Sequence, residues 1–342
     1  MSVEEKVDVE LYDRQIRLWG MSTQKLILKS NVLVVNLNGL GTEIMKNLLL
    51  SGIGNITVLD DHDIDVDDVN TYYNQFFIYK SNLEKLGGRV KRLDIAEANM
   101  RDMNPRCNLT TLTTDTNKKL LDKGFLNKFD LVIITEILDN DFLCQINDIT
   151  RELNLPIYIA QSYGLSSMVF VDYITRFSLS EKLLDIKNDA SQIEKEKNII
   201  AKGDFPVKLT KNTELASKEL VKNEEDGNMK LILKTLNKFI PFRDLIDGLN
   251  SEDCLSTQFN NRQLRNLKQN TTIPFILNSL NPKIFSADEY FTKCKGIELP
   301  AVVAVVGAAL VQDFISSLNK TKLINNLLLF DAKNDEMPVI EI

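Results

Sequence analysis

Four consecutive apolar residues, Val32-Leu33-Val34-Val35, run directly into Asn36-Leu37-Asn38-Gly39-Leu40-Gly41, and a stripe of Ile44, Met45, Leu48 and Leu49 follows. A strand with no polar face must be buried on both sides, as in the centre of a parallel sheet. The glycines mark a tight turn. Thr42 is placed to cap the next helix, with Glu43 in its first turn, and Ser51-Gly52 ends it. Ile56-Thr57-Val58-Leu59 is a second strand closing on Asp60-Asp61. Further strands are expected over 109–112, 129–135 and 156–160, with helices before Asn104-Pro105 and over 141–153. Before the first strand, residues 11–30 suit a short helix plus a loop. This alternation predicts an α/β fold with a doubly wound, mostly parallel, Rossmann-like sheet.

The pattern changes near Ser180. From there to Met229 the chain is rich in Lys, Glu, Asp and Asn, which reads as a charged insertion or mobile linker. Residues 231–239 fit an amphipathic helix, 250–270 a polar helix and 288–295 another. Pro300 opens an apolar run over 301–311 that is too short to span a bilayer and reads as a buried helix. Its Gly307 and alanines would let another backbone approach. Leu327-Leu328-Leu329-Phe330-Asp331 is a returning strand. The expected organisation is therefore 1–179 for the first part of the α/β domain, 180–229 for the insertion, 230–282 for a helical segment and 283–342 for completion of the domain.

The net charge of −7 argues against nucleic acid as the main partner. Met1 leads into polar residues, so neither a secretory leader nor a membrane partner is expected. His62 is the single histidine, which excludes a multi-histidine metal site. Cys107, Cys144, Cys254 and Cys294 contain no C-x-x-C pair, so no metal centre is expected.

Gly39, Gly41 and Asp60, the last 21 residues beyond Gly39, follow the dinucleotide-fold pattern. Such glycines let a phosphate approach the backbone, and the helix N-terminus supplies N–H donors. The match to G-x-G-x-x-G is poor, because the turn fits G-x-x-G-x-G with Asn36 in the first slot. Two readings stay open: a nucleotide site, with a NAD-dependent oxidoreductase as one version of it, or a turn kept by the fold with nothing bound.

Two motifs narrow this choice. Tyr12-Asp13-Arg14-Gln15-Ile16-Arg17-Leu18-Trp19-Gly20 opens the chain, and Gly39-Leu40-Gly41-Thr42-Glu43-Ile44-Met45-Lys46-Asn47-Leu48 follows. Together they resemble the enzymes that activate ubiquitin-like modifiers, over residues 10–175 and 283–342. Length and opening are most similar to the small, non-thioester subunits of the SUMO-activating type. An equivalent subunit for another modifier is the alternative. The resemblance implies a pseudo-adenylation domain in a heterodimer, with ATP and Mg bound by a large catalytic subunit and SUMO as the modifier. It implies that Arg14 reaches in trans to the partner's ATP phosphates, and that the nucleus, with the cytoplasm as a second compartment, is the location.

The chain departs from the active pattern where a supporting subunit would. Asp60 is kept, but His62 replaces a second acid, Asp68 stands near an asparagine position, and Asn74 precedes Gln75-Phe76 where an arginine belongs. Neutral Asn cannot replace a guanidinium at a phosphate. Gly39, Gly41, Asp60, Lys91 and Asp139 remain as a degenerate nucleotide site. A surface salt bridge to Asp13 is the competing role for Arg14. Arg17 suits helix packing or an ion pair, Trp19 a core or interface anchor, and His62 a solvated loop. The resemblance implies that the thioester cysteine belongs to the other subunit, and the acidic neighbours of Cys254 would blunt a thiolate there.

Overall fold

The chain enters its sheet through a helix that breaks in the middle. In the computed structural model, which describes residues 7–64, 76–86, 88–187, 213–222, 228–248, 297–321, 324, 326–332, 337 and 339–340, α1 (Asp13–Lys29) is interrupted at Gly20, with φ 86° and ψ 158°. Residues with a Cβ rarely adopt that state, so glycine sets the kink. Two helical segments thus replace the expected helix plus loop.

The order continues β1 (Asn31–Val35), α2 (Gly39–Ser51), β2 (Asn55–Leu59), β3 (Asp63–Ile64), α3 (Lys80–Leu86), β4 (Val90–Lys91), α4 (Arg92–Met103), β5 (Asn108–Leu112), α5 (Thr116–Leu120), α6 (Lys123–Leu126), β6 (Leu131–Ile134), α7 (Asn140–Glu152), β7 (Ile157–Tyr163) and β8 (Ser166–Asp172). Then come β9 (Thr175–Lys187), β10 (Thr213–Lys222), β11 (Asn228–Lys238), α8 (Phe242–Gly248), α9 (Pro300–Leu318), β12 (Leu327–Asp331) and β13 (Val339–Ile340). The main sheet has eight strands in the order β13-β12-β8-β7-β6-β1-β2-β5. From β7 to β5 all pairings are parallel; β8, β12 and β13 extend the sheet antiparallel.

Alternate residues of β1 feed two cores. Val32 and Val34 face a cluster with α2, α4 and α9, while Leu33 and Val35 face one with α5, α6, α7 and α8. This is why the strand carries no polar side. The helix opened by Pro300 runs well past the apolar stretch. It is long and apolar enough to cross a membrane by composition, but it lies against α2 and its inner face is buried. Gly307 permits that contact: a Cβ there would stand 2.9 Å from the Glu43 Cβ. The Tyr158 hydroxyl of β7 also donates to Asp313 of α9 at 2.5 Å, tying helix to sheet.

Three further readings change. The N-cap of α2 is Asn38, whose side chain accepts from the Gly41 N–H, and not Thr42. Residues 231–238 are a strand, not a helix: β11 pairs with both β10 and β9. Its inward positions include Leu231 and Leu233 but also Thr235 and Asn237. Those two are satisfied by Ser178 and by the Arg176 carbonyl, so polar residues masked the period-two pattern. The charged insertion is partly this sheet, since β9 runs through Lys187 and β10 covers 213–222. The rest of the insertion, together with the helices expected over 250–270 and 288–295, lies outside the described residues.

Gly307→Val is expected to lower stability by about 1–3 kcal/mol by forcing α9 off α2. A urea titration checks it: the midpoint should fall while the slope stays the same.

Candidate functional site

Strand order reverses at β1, with β2 and β5 on one side and β6 and β7 on the other. In such a sheet a ligand crevice lies outside the C-terminal ends of the strands at that switch point. Here it is framed by the turn after β1, the N-terminus of α2, Asp60 after β2 and Thr135 after β6.

Asn36, in the slot of a first glycine, has φ 71°, a left-handed state that Asn tolerates. Its carbonyl accepts from the Thr135 hydroxyl at 2.8 Å. Gly41 must be glycine, because a Cβ there would lie 2.2 Å from the Asn36 oxygen. Asn38 bridges the switch point, its amide donating to the Thr135 carbonyl at 2.9 Å.

The N–H groups that α2 leaves free at its start are those of Gly39, Leu40 and Gly41, since Thr42 already bonds the Asn38 carbonyl. Each has an acceptor from the chain itself. Gly41 donates to the Asn38 side chain at 2.8 Å. Gly39 and Leu40 donate to the two carboxylate oxygens of Glu298 at 2.5 and 2.9 Å. Glu298 is buried, and burial raises its pKa against the pull of those N–H groups and of Arg92.

Asp60 is likewise engaged. One oxygen accepts from the Leu37 N–H and pairs with the Arg92 Nε at 2.8 Å. The other accepts from the backbone and ring of His62 and from the Arg92 Nη2. Burial pulls this carboxyl up, but the His62 hydrogen bond and the Arg92 charge outweigh it and hold it at about 2. His62, expected to be a solvated loop residue, is half-exposed and bonded to Asp60, and that bond raises its pKa. A ribose-binding acid needs a free oxygen; Asp60 is buried with both oxygens occupied.

The other predicted residues lie around this crevice in different roles. Lys91 holds the Asp61 carbonyl and pairs with Asp63 at 2.8 Å. Asp139 caps α7, accepting from the Asp141 and Phe142 N–H groups. Gly39, Gly41 and Asp60 are brought together; Lys91 and Asp139 have local structural partners. Asp68, Asn74, Gln75, Cys254 and Cys294 lie outside the described residues. Cys107 and Cys144 are buried free thiols, and burial raises both, Cys107 to about 11. Such thiols are poor nucleophiles.

The opening motif sits elsewhere. The Tyr12 ring is buried on Gly52, the C-cap of α2. The cradle is at the other end of that helix, whose 13 residues span about 20 Å. Arg14, two residues on, is exposed and has no hydrogen bond or ion pair to another described residue. The bridge to Asp13 belongs to Arg17, at 2.9 Å. Trp19 packs partly buried against the core, and its indole N–H donates to Gln24. Leu18, between these anchors, is 79% exposed. A cavity of about 460 Å³ lies at the N-terminal edge of the sheet, with Lys29, Leu155, Pro156 and Arg176 among its lining, and includes none of the crevice residues.

Sequence reasoning missed Glu298 and Arg92. Arg92 adjoins the singled-out Lys91, but Glu298 lies 259 positions from Gly39, and no local pattern links them.

A ThiF family model matches residues 12–342. DNA damage tolerance protein RHC31 of Saccharomyces cerevisiae is 32% identical, with 98% of this chain and 96% of that protein covered. DNA damage tolerance protein rad31 of Schizosaccharomyces pombe is 29% identical, with coverages of 98% and 97%. SUMO-activating enzyme subunit 1 of Xenopus laevis is 28% identical, with coverages of 94% and 92%.

The Asp60 cluster makes stability pH-dependent in two windows. Asp60 is depressed from 3.8 to about 2, so its contribution of about 2 kcal/mol is present above pH 3.8 and fades as pH falls towards 2. His62 is raised above 6.5, so its share is complete below 6.5 and fades as pH rises through the shifted value. The stability gap between wild type and Asp60→Asn, from urea melts across pH, should therefore be widest between pH 3.8 and 6.5.

Proposed function

The chain belongs to the ThiF family, and from that premise we propose that it is the small, non-thioester subunit of a heterodimeric SUMO-activating enzyme. In this reading it supports ATP-dependent adenylation of the SUMO C-terminus on a larger catalytic partner, ahead of thioester formation there. The family implies adenylation with ATP; we assign ATP and Mg²⁺ to the partner. The name and near full-length coverage of the Xenopus relative support the choice of modifier.

Arg14 carries the proposal. It is exposed without a described acceptor, and it lies at the far end of α2 from its own crevice. Its neighbour Arg17 pairs with Asp13, leaving Arg14 as the cation of this helical segment without an acceptor among the described residues. In adenylation a modifier carboxylate oxygen attacks the α-phosphorus of ATP. The new bond is C–O–P, the bond to the β-phosphate oxygen breaks, and pyrophosphate leaves with the negative charge. A guanidinium aimed at the leaving phosphates stabilises that charge without moving a proton. Its planar fork suits two phosphate oxygens, which an ammonium matches less well. Mg²⁺, which the partner would hold with ATP, would supply further charge neutralisation when bound. We place this activity in the nucleus, with the cytoplasm as a second compartment.

ATP–pyrophosphate exchange with SUMO tests the reading on this chain alone, the large subunit alone and the mixture. Exchange is expected only in the mixture. Arg14→Ala should lower it ~10²-fold or more with the complex still assembled, and Arg14→Lys should fall in between. Robust exchange by the solitary chain, or an unaltered rate with Arg14→Ala, refutes the proposal.

A further inference from the structure

The phosphate cradle of this chain is intact in its backbone and filled from within. We infer that Glu298 is a tethered anion that occupies the position of a nucleotide phosphate, keeping this crevice nucleotide-free while giving α2 the negative charge its N-terminus favours. The inference rests on the reading of this chain as the non-adenylating half, and explains how that half stays silent.

The stereochemistry fits a stand-in. Two carboxylate oxygens each accept one N–H of a strand–glycine-turn–helix, the donors that cradle a phosphate in such turns. The partial positive charge of the helix end and the nearby Arg92 favour an anion there. Glu298 is 8% exposed, so its carboxylate is not a surface group resting in the crevice.

The backbone that carries it is fixed on both sides. Gly164, in the turn between β7 and β8, donates to the Ile297 carbonyl at 2.7 Å and forms a parallel bridge with Glu298. Leu299 caps α9 and Pro300 is in its first turn, so the next residues are locked into a helix that packs on α2. The backbone under the carboxylate is thus held against β7–β8 on one side and α9 on the other, which keeps the side chain poised over the cradle.

Removing the carboxylate should therefore uncover an oxyanion site. Full-length wild type, Glu298→Ala and Glu298→Gln are titrated with inorganic pyrophosphate, following heat of binding and melting temperature. Wild type should show no saturable binding and no thermal shift. Glu298→Ala should melt lower, bind pyrophosphate at least ten-fold more tightly than wild type and regain part of the lost melting temperature when saturated. Glu298→Gln, which keeps the bulk without the charge, should fall between them. If Glu298→Ala does not fold, Glu298→Gln against wild type decides the matter.

Equal affinity in every folded variant overturns the inference, as does a Glu298→Ala protein that is destabilised but gains no affinity, which is the behaviour of a purely structural hydrogen bond. Saturable ATP binding by wild type with Glu298 in place refutes this inference and leaves the proposed function standing, which only exchange by the solitary chain or an unaltered Arg14→Ala rate overturns. A silent Arg14→Ala phenotype in the assembled complex refutes only that function.

Discussion

A buried helix start leaves N–H groups that must find acceptors, and the architecture around the crevice follows from how this chain supplies them. In a working nucleotide fold the acceptor is a phosphate that comes and goes. Here the donors of Gly39, Leu40 and Gly41 are all met by side chains. Meeting them joins segments far apart in sequence, since Glu298 belongs to the stretch that introduces α9. The same contact that completes the hydrogen bonding of α2 therefore fixes where the C-terminal helix docks. Asp60 and Arg92 repeat this arrangement at the end of β2, where a group expected to meet a ribose is enclosed by His62, Leu37 and Arg92.

These contacts meet the Gly39, Leu40 and Gly41 donors at the start of α2 from within the chain. The exposed Arg14 lies on the segment at the opposite end of α2. On the proposed function, one homologous fold separates two tasks that an autonomous enzyme must combine: holding the sheet together and meeting the substrate's phosphates. On that same proposal the nucleotide belongs to the partner.

The parallel sheet was readable because its strands bury both faces, and Val32 to Val35 can belong nowhere else. The Gly52 helix stop and the close approach at Gly307 were equally local and equally readable. β11 was misread because Thr235 and Asn237 point inward, leaving an apolar spacing compatible with a helix. At the crevice, Asn36, Gly39, Gly41 and Asp60 could be recognised from spacing. What engages them could not, because Glu298 and Arg92 are non-local partners chosen by tertiary packing. His62 shows the same limit: nothing in its immediate sequence says that its ring will meet Asp60.

The broken first helix has a consequence of its own. Tyr12 is clamped on Gly52 at one end, and Gly20 resets the backbone direction at the other. The segment between them is a short strut fixed at two points, and its azimuth is set by the number of residues between those points. Each α-helical residue turns the axis by about 100°. A one-residue insertion there would re-aim the guanidinium by roughly that angle while every strand kept its register, so chain length in this strut is itself a determinant of the direction in which the Arg14 side chain leaves the helix.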